Sequence, residues 1–97
     1  MIVEIQCLAS PPGTPDDPYA HIDAAIAIVQ HSGLHYEVGP LGTTLEGDPD
    51  EIWPLLRAVH EACLESGANG LVSVIKVEQS RADIPPTMNS LTAKFRA

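Results

Sequence analysis

Glu4 and Gln6 stand two residues apart near the start of the chain, and Thr44 and Glu46 repeat that spacing near its middle. In extended segments such pairs emerge from one face of a sheet, so carboxylate, amide and hydroxyl groups would converge if the two segments are neighbours. That chemistry is hydrogen bonding to a small polar molecule. Taken alone, the same pattern describes a solvated sheet face on which Lys76 pairs with a glutamate. Thr43 reads two ways, as a direct contact or as part of the turn that Gly42 permits. Tyr36 reads first as packing by parity, and Trp53 as a cover for the first turn of a helix.

Other reactive residue types lack the spacing their chemistry needs. His21 and His31 are ten apart, about 280° round a helix, and point in different directions. The run His60-Glu61-Ala62-Cys63-Leu64 has no second histidine of the kind that completes a zinc site. Cys63 follows His60 by three but belongs to an apolar face, where a buried thiol is usually inert. Ser10 and Ser73 sit in no nucleophile elbow, and no glycine-rich loop opens a helix for phosphate. The expectation is a protein with no catalytic residues, no metal and no cofactor.

The elements that must position these groups follow from the hydrophobic pattern. Met1 to Ala9 alternates, with Val3, Ile5 and Cys7 on one side and Glu4 and Gln6 on the other, which predicts a half-buried strand. Ser10-Pro11-Pro12-Gly13-Thr14-Pro15 ends it as a loop. Asp17-Pro18 has the form of a helix start, Ile22, Ala25, Ile26 and Val29 form one apolar stripe, and Gly33 is placed to stop the helix, so a helix is expected over 18–32. Leu34 to Val38 and Leu41 to Glu46 read as two antiparallel strands around Gly39-Pro40. Asp48-Pro49-Asp50-Glu51 repeats the helix start, with Glu51 placed for a capping box; Ile52, Leu55, Leu56, Val59 and Cys63 form the inner face and Gly67 the stop. Leu71 to Val77 is a last strand, and Thr87 to Ala97 is expected to form a short helix with Met88, Leu91 and Phe95 as its stripe.

The order βαββαβ predicts an α+β sandwich of ferredoxin-like shape: a four-stranded antiparallel sheet with the first and third strands central and both helices on one face. Val3, Ile5, Cys7, Leu45, Ile75 and Val77 should face the helices; Glu4, Gln6, Thr44, Glu46 and Lys76 should share the opposite face. With 97 residues the chain is expected to form one domain, 1–97. Its formal charge of −8 argues against a phosphate-tracking nucleic-acid surface. No cationic leader or long apolar run is present, so no membrane span is expected and a cytoplasmic location is the default.

The chain resembles the thiamine-binding protein family of small ferredoxin-like proteins. The resemblance is carried by the Val3-Glu4-Ile5 strand, by Ser32-Gly33-Leu34-His35-Tyr36-Glu37-Val38, by Gly42-Thr43-Thr44-Leu45-Glu46-Gly47-Asp48, and by Ser73-Val74-Ile75-Lys76-Val77. Departures are Gly70, where the family often has a basic residue, Glu78-Gln79-Ser80-Arg81, where it is more basic, and Asp16-Asp17-Pro18, where it often has small hydroxyl residues. The resemblance implies binding of thiamine or its aminopyrimidine portion, and homo-oligomers, dimers or tetramers, built by sheet association. Strand parity beside this family-like run makes Glu4, Gln6, Thr43, Thr44, Glu46 and Lys76 the ligand-binding candidates. Thiamine presents an amine donor, ring-nitrogen acceptors and a permanent thiazolium cation, which a carboxylate and a hydroxyl suit. A regulatory module that senses another small ligand, and an enzyme with a site assembled between subunits, are the alternatives.

Overall fold

The computed structural model describes residues 1–96. Its elements are β1 (Ile2–Ser10), α1 (Ala20–Gln30), β2 (His35–Val38), β3 (Thr43–Glu46), α2 (Pro49–Ser66), β4 (Gly70–Glu78) and a short α3 (Met88–Thr92) that runs into a 3₁₀ turn at Ala93–Phe95. All strand pairs are antiparallel and the sheet order is β2-β3-β1-β4, so the first and third strands are central, as the element order predicts.

The core lies between the sheet and the two long helices. Val3, Ile5 and Leu45 project from the sheet and meet Ala25 and Val29 of α1 and Ile52, Leu56, Val59 and Cys63 of α2. Cys7 and Ile22 pack at its margin. Ile75 and Val77 depart from expectation. Register places them beside Ile5 and Val3 on the helix side, yet they are 39% and 44% exposed. β4 is an edge strand, and parity decides only which way a side chain points, not whether a helix lies above it.

The first helix start also differs. Asp17 does not cap α1; the N-cap is Tyr19, with no side-chain hydrogen bond. The Asp17 backbone is committed to a turn instead, bonded in both directions to Thr14. A Cβ on Gly13 would fall 2.2 Å from the Asp17 carbonyl oxygen, so this loop closes only around glycine. At α2 the cap position is the expected Asp48 followed by Pro49, but Asp48 makes no side-chain cap hydrogen bond, so the expected capping box with Glu51 is not formed. The far end of α2 stops at Gly67, φ 131°. There the Gly67 N–H bonds to the Leu64 carbonyl and the Ala68 N–H to the Cys63 carbonyl, a Schellman pairing that requires the left-handed region. Gly33, φ 78°, also takes the left-handed region and turns the chain after α1, where the Leu34 N–H bonds to Ser32 Oγ.

The expected tail helix is present over its first turns. Thr87 caps it reciprocally with Ser90. Met88 is buried, whereas Leu91 and Phe95 are exposed, so the expected stripe does not pack as a unit. Ala97, the end of that expected segment, lies outside the described residues.

Candidate functional site

Four of the six candidate residues meet on the open face of the sheet. Cross-strand register sets Glu37, Thr44, Glu4 and Lys76 in one row, with Glu46 in the next row beside Ile2. Glu4, Thr44 and Lys76, with Glu78, border a shallow depression of about 280 Å³. Lys76 Nζ lies 3.6 Å from Glu4 Oε1. Both side chains are substantially exposed, so the pair contributes little to stability. The Glu46 carboxylate has a partner of its own, accepting the Met88 backbone N–H at 2.8 Å. Farther along the tail, the Arg96 guanidinium reaches Glu37 at 2.9 Å. The tail is therefore tied to β2 and β3 along the margin of this face.

Gln6 keeps the open-face parity of Glu4, opposite Val74, but stands apart from that group, and Thr43 is not on this face. Thr43 is on the helix side of the sheet and only 6% exposed. Gln6 lies beyond the last β1–β3 pair, Ile5 opposite Thr43, on the part of β1 that only β4 accompanies. The two residues share the wall of a second, larger space, a cavity of about 450 Å³. This volume falls within the usual range for small-molecule sites.

The cavity exists because the strands have unequal lengths. The β1–β4 ladder runs to Ser10 opposite Gly70, while the β1–β3 ladder stops at Ile5. The expected strand over 41–46 is shortened to Thr43–Glu46 because Gly39 to Gly42 forms a turn, closed by the Gly39 N–H on the Gly42 carbonyl at 2.8 Å. The space left beside β1 is walled by Ile22, Ile26 and Val29 of α1 and by Pro40, Leu41 and Thr43. Tyr19 lines it from just before α1 and is itself 65% exposed, so the space opens to solvent there.

Within this gap β1 keeps a row of backbone groups with no strand opposite. The Ser10 carbonyl accepts from Asn69 toward the β4 side, and the Met1 carbonyl accepts from Gly47 toward the β3 side. Directions alternate along an antiparallel strand. The N–H and C=O of Cys7 and Ala9 consequently face the β3 side, where β3 has already ended. One residue there offers a donor and an acceptor side by side, among largely apolar walls. The sequence signal for this was slight: an alternating run in β1 longer than any that could pair with it across the Gly39-Pro40 turn.

Among the described residues, no three His, Cys, Asp or Glu side chains gather as a metal-holding group. Nor is any helix long and apolar enough to cross a membrane.

Comparison with known proteins places this geometry in a family. The family model described as Thiamine-binding protein matches residues 3–96. A UPF0045 protein of Clostridium perfringens is 31% identical over 78 residues, covering 80% of each chain. Among solved structures, a domain of unknown function from Bacillus cereus superposes with a TM-score of 0.80 at 32% identity, covering 99% of this chain and 91% of that one. A Thermotoga maritima protein assigned provisionally to thiamine biosynthesis or salvage superposes with a TM-score of 0.76 at 26% identity, covering 99% of this chain and 100% of that one. In sequence over nearly its whole length, and in fold, the chain belongs to the thiamine-binding protein family.

Proposed function

We propose that this protein is a non-catalytic cytoplasmic carrier that takes thiamine, or its aminopyrimidine portion, into the cavity between α1, β1 and the β2–β3 turn. The unpaired edge of β1 at Cys7 carries this reading. An aminopyrimidine presents a ring-nitrogen acceptor next to an exocyclic amine donor. The Cys7 N–H would donate to the ring nitrogen while the Cys7 C=O accepts from the amine. Two such bonds, made beside largely apolar walls, pair backbone groups that otherwise depend on water. Ile22 and Ile26 supply flat apolar contact to the ring, and Gln6 and Thr43 are placed for further polar contacts. The cationic thiazolium then points toward solvent, where a chain of formal charge −8 favours it over a neutral or anionic competitor.

A second site on the open face is favoured by one observation, the gathering of Glu4, Thr44, Glu46 and Lys76. Calorimetric titration with thiamine and with the isolated aminopyrimidine distinguishes the two. Ile26→Trp fills the cavity and is expected to weaken binding on the order of a hundredfold, with Glu46→Gln within about twofold of the parent. Loss of affinity in Glu46→Gln with Ile26→Trp unchanged would move the site to the open face. Saturation by neither compound would remove thiamine altogether.

The same proposal includes assembly into a homo-oligomer, dimers joined at sheet edges that pair into tetramers. Its support is the outer edge of β4 and the exposed Val72, Val74 and Leu8 beside it.

A further inference from the structure

The cavity beside β1 has no charge of its own. Among the described residues that line it, none is acidic or basic. The chain's Lys and Arg residues, Arg57, Lys76, Arg81, Lys94 and Arg96, all stand outside it. Three of them are already paired, Arg57 with Glu61, Lys76 with Glu4 and Arg96 with Glu37. Thiamine seated by its aminopyrimidine leaves its thiazolium, and the hydroxyethyl arm on that ring, at the mouth beside Tyr19. Any group esterified to the arm is met there.

The mouth is flanked by the loop that joins β1 to α1. Pro12 and Tyr19 both line the cavity, and between them in the chain come Asp16 and Asp17, both exposed. Backbone bonds hold this loop in place. The Thr14 N–H at 2.8 Å and the Ala20 N–H at 3.1 Å both donate to the Asp17 carbonyl. Gly13 lies so close to the Asp17 and Pro18 backbone that a side chain there would collide with it. Two carboxylates therefore stay near the mouth without any bond of their own side chains, and their field attracts a cation and repels a phosphate.

One feature of the fold opposes this, the N-terminus of α1, since helix N–H groups commonly bind anions. Here those donors are occupied. The Ala20 N–H is on the Asp17 carbonyl, the His21 N–H on the Pro12 carbonyl at 2.9 Å and the Asp23 N–H on the Tyr19 carbonyl at 2.9 Å. The first turn of the helix also carries the Asp23 carboxylate. A phosphate at this end would have to displace backbone bonds while meeting acidic side chains and no cation, so repulsion prevails.

We propose that the mouth of the cavity selects the free alcohol form of the ligand over its phosphate esters, with Asp16 and Asp17 as the residues that set the preference. This rests on the thiamine reading above and adds to it which form of the molecule is taken. The carboxylates act through space on the ligand's arm and leave the seating of the aminopyrimidine at Cys7 unchanged.

The experiment is calorimetric titration of the full chain with thiamine, thiamine monophosphate and thiamine diphosphate. Thiamine is expected to bind about tenfold more tightly than the monophosphate at low salt, and the gap should shrink in about 0.5 M salt as the charges are screened. Asp16→Asn combined with Asp17→Asn should narrow the ratio to within about threefold. Asp50→Asn combined with Glu51→Gln removes the same charge at the start of α2. That site lies at the other end of the sheet, where the Gly47 N–H meets the Met1 carbonyl, and the ratio should stay as in the parent. Equal or tighter binding of either phosphate by the parent would overturn the proposal. So would a ratio that the loop pair leaves unmoved, or that the α2 pair changes as much. The parent's ratio and its salt dependence decide the matter even if a substituted chain folds poorly. Thiamine and its phosphates binding alike removes this proposal and leaves the ligand reading standing; saturation by none of the three removes both.

Discussion

At Gly67 the backbone takes φ 131°, and a Cβ there would approach His21 Cε1 to 3.0 Å. His21 is 4% exposed and its Nδ1 is 2.7 Å from Ser66 Oγ, so moving the ring disturbs buried packing and that hydrogen bond. Gly67→Ala is therefore expected to cost about 2 kcal/mol, from backbone strain and the displaced ring together. Urea unfolding measures it, and His21→Ala as a second background should recover the part due to the contact. Cys63 makes a pH-dependent prediction. Its thiol is raised from an ordinary 9.0 to about 11, so between those values the unfolded chain sheds a proton that the folded chain keeps. Stability must then fall as pH rises from 9.0 toward 11. Denaturant midpoints across that window check the slope, which should flatten in Cys63→Ala. Glu46, read from sequence as a ligand group, also serves as an anchor through Met88.

Among the elements, α3 is held by few interactions and each is identifiable. They are the Thr87–Ser90 box, the Glu46 carboxylate on the Met88 N–H, and burial of Met88. Replacing Thr87 by Ala should cost the tail about 1 kcal/mol. Amide exchange at Leu91 and Thr92 should accelerate severalfold while α1 and α2 keep their protection. Equal acceleration in all three helices would mean that the tail is part of the global folding unit. The legibility of the elements varied with their local signals. Val3, Ile5 and Leu45 reported their face correctly because alternation in central strands is enforced by burial. Asp17 misled because Asp-Pro suits a turn as well as a helix start, and the choice was made by Gly13 and Thr14 closing the loop around the Asp17 carbonyl.

Taken whole, the molecule leaves one long strand edge and its neighbouring surfaces open. β4 pairs with β1 alone, and Val72, Val74, Ile75 and Val77 along it are 61%, 46%, 39% and 44% exposed. A strand with apolar residues on both faces, interrupted between Leu71 and Val77 only by Ser73 and Lys76, invites pairing. Light scattering of the parent chain is expected to give a dimer or tetramer mass at micromolar concentration, and Val74→Glu a smaller species. A monomer for the parent would leave the edge without its proposed partner.

The sequence by itself determined the order and type of the elements, the central strands and most of the core, because those follow from local periodicity and from glycines at Gly33 and Gly67 that admit the left-handed backbone. It also put Glu4, Thr44, Glu46 and Lys76 on one face, since strand parity is a local property. Only the tertiary structure decided where β3 ends against β1, and with it the cavity and the exposed Cys7 backbone. It alone brought Cys7, Ser73 and His60 together from three elements. It also fixed how far the helices cover β4, leaving Ile75 and Val77 open. Periodicity names a side chain's face; the meeting of distant segments depends on ladder lengths and helix placement, which arise when the whole chain packs.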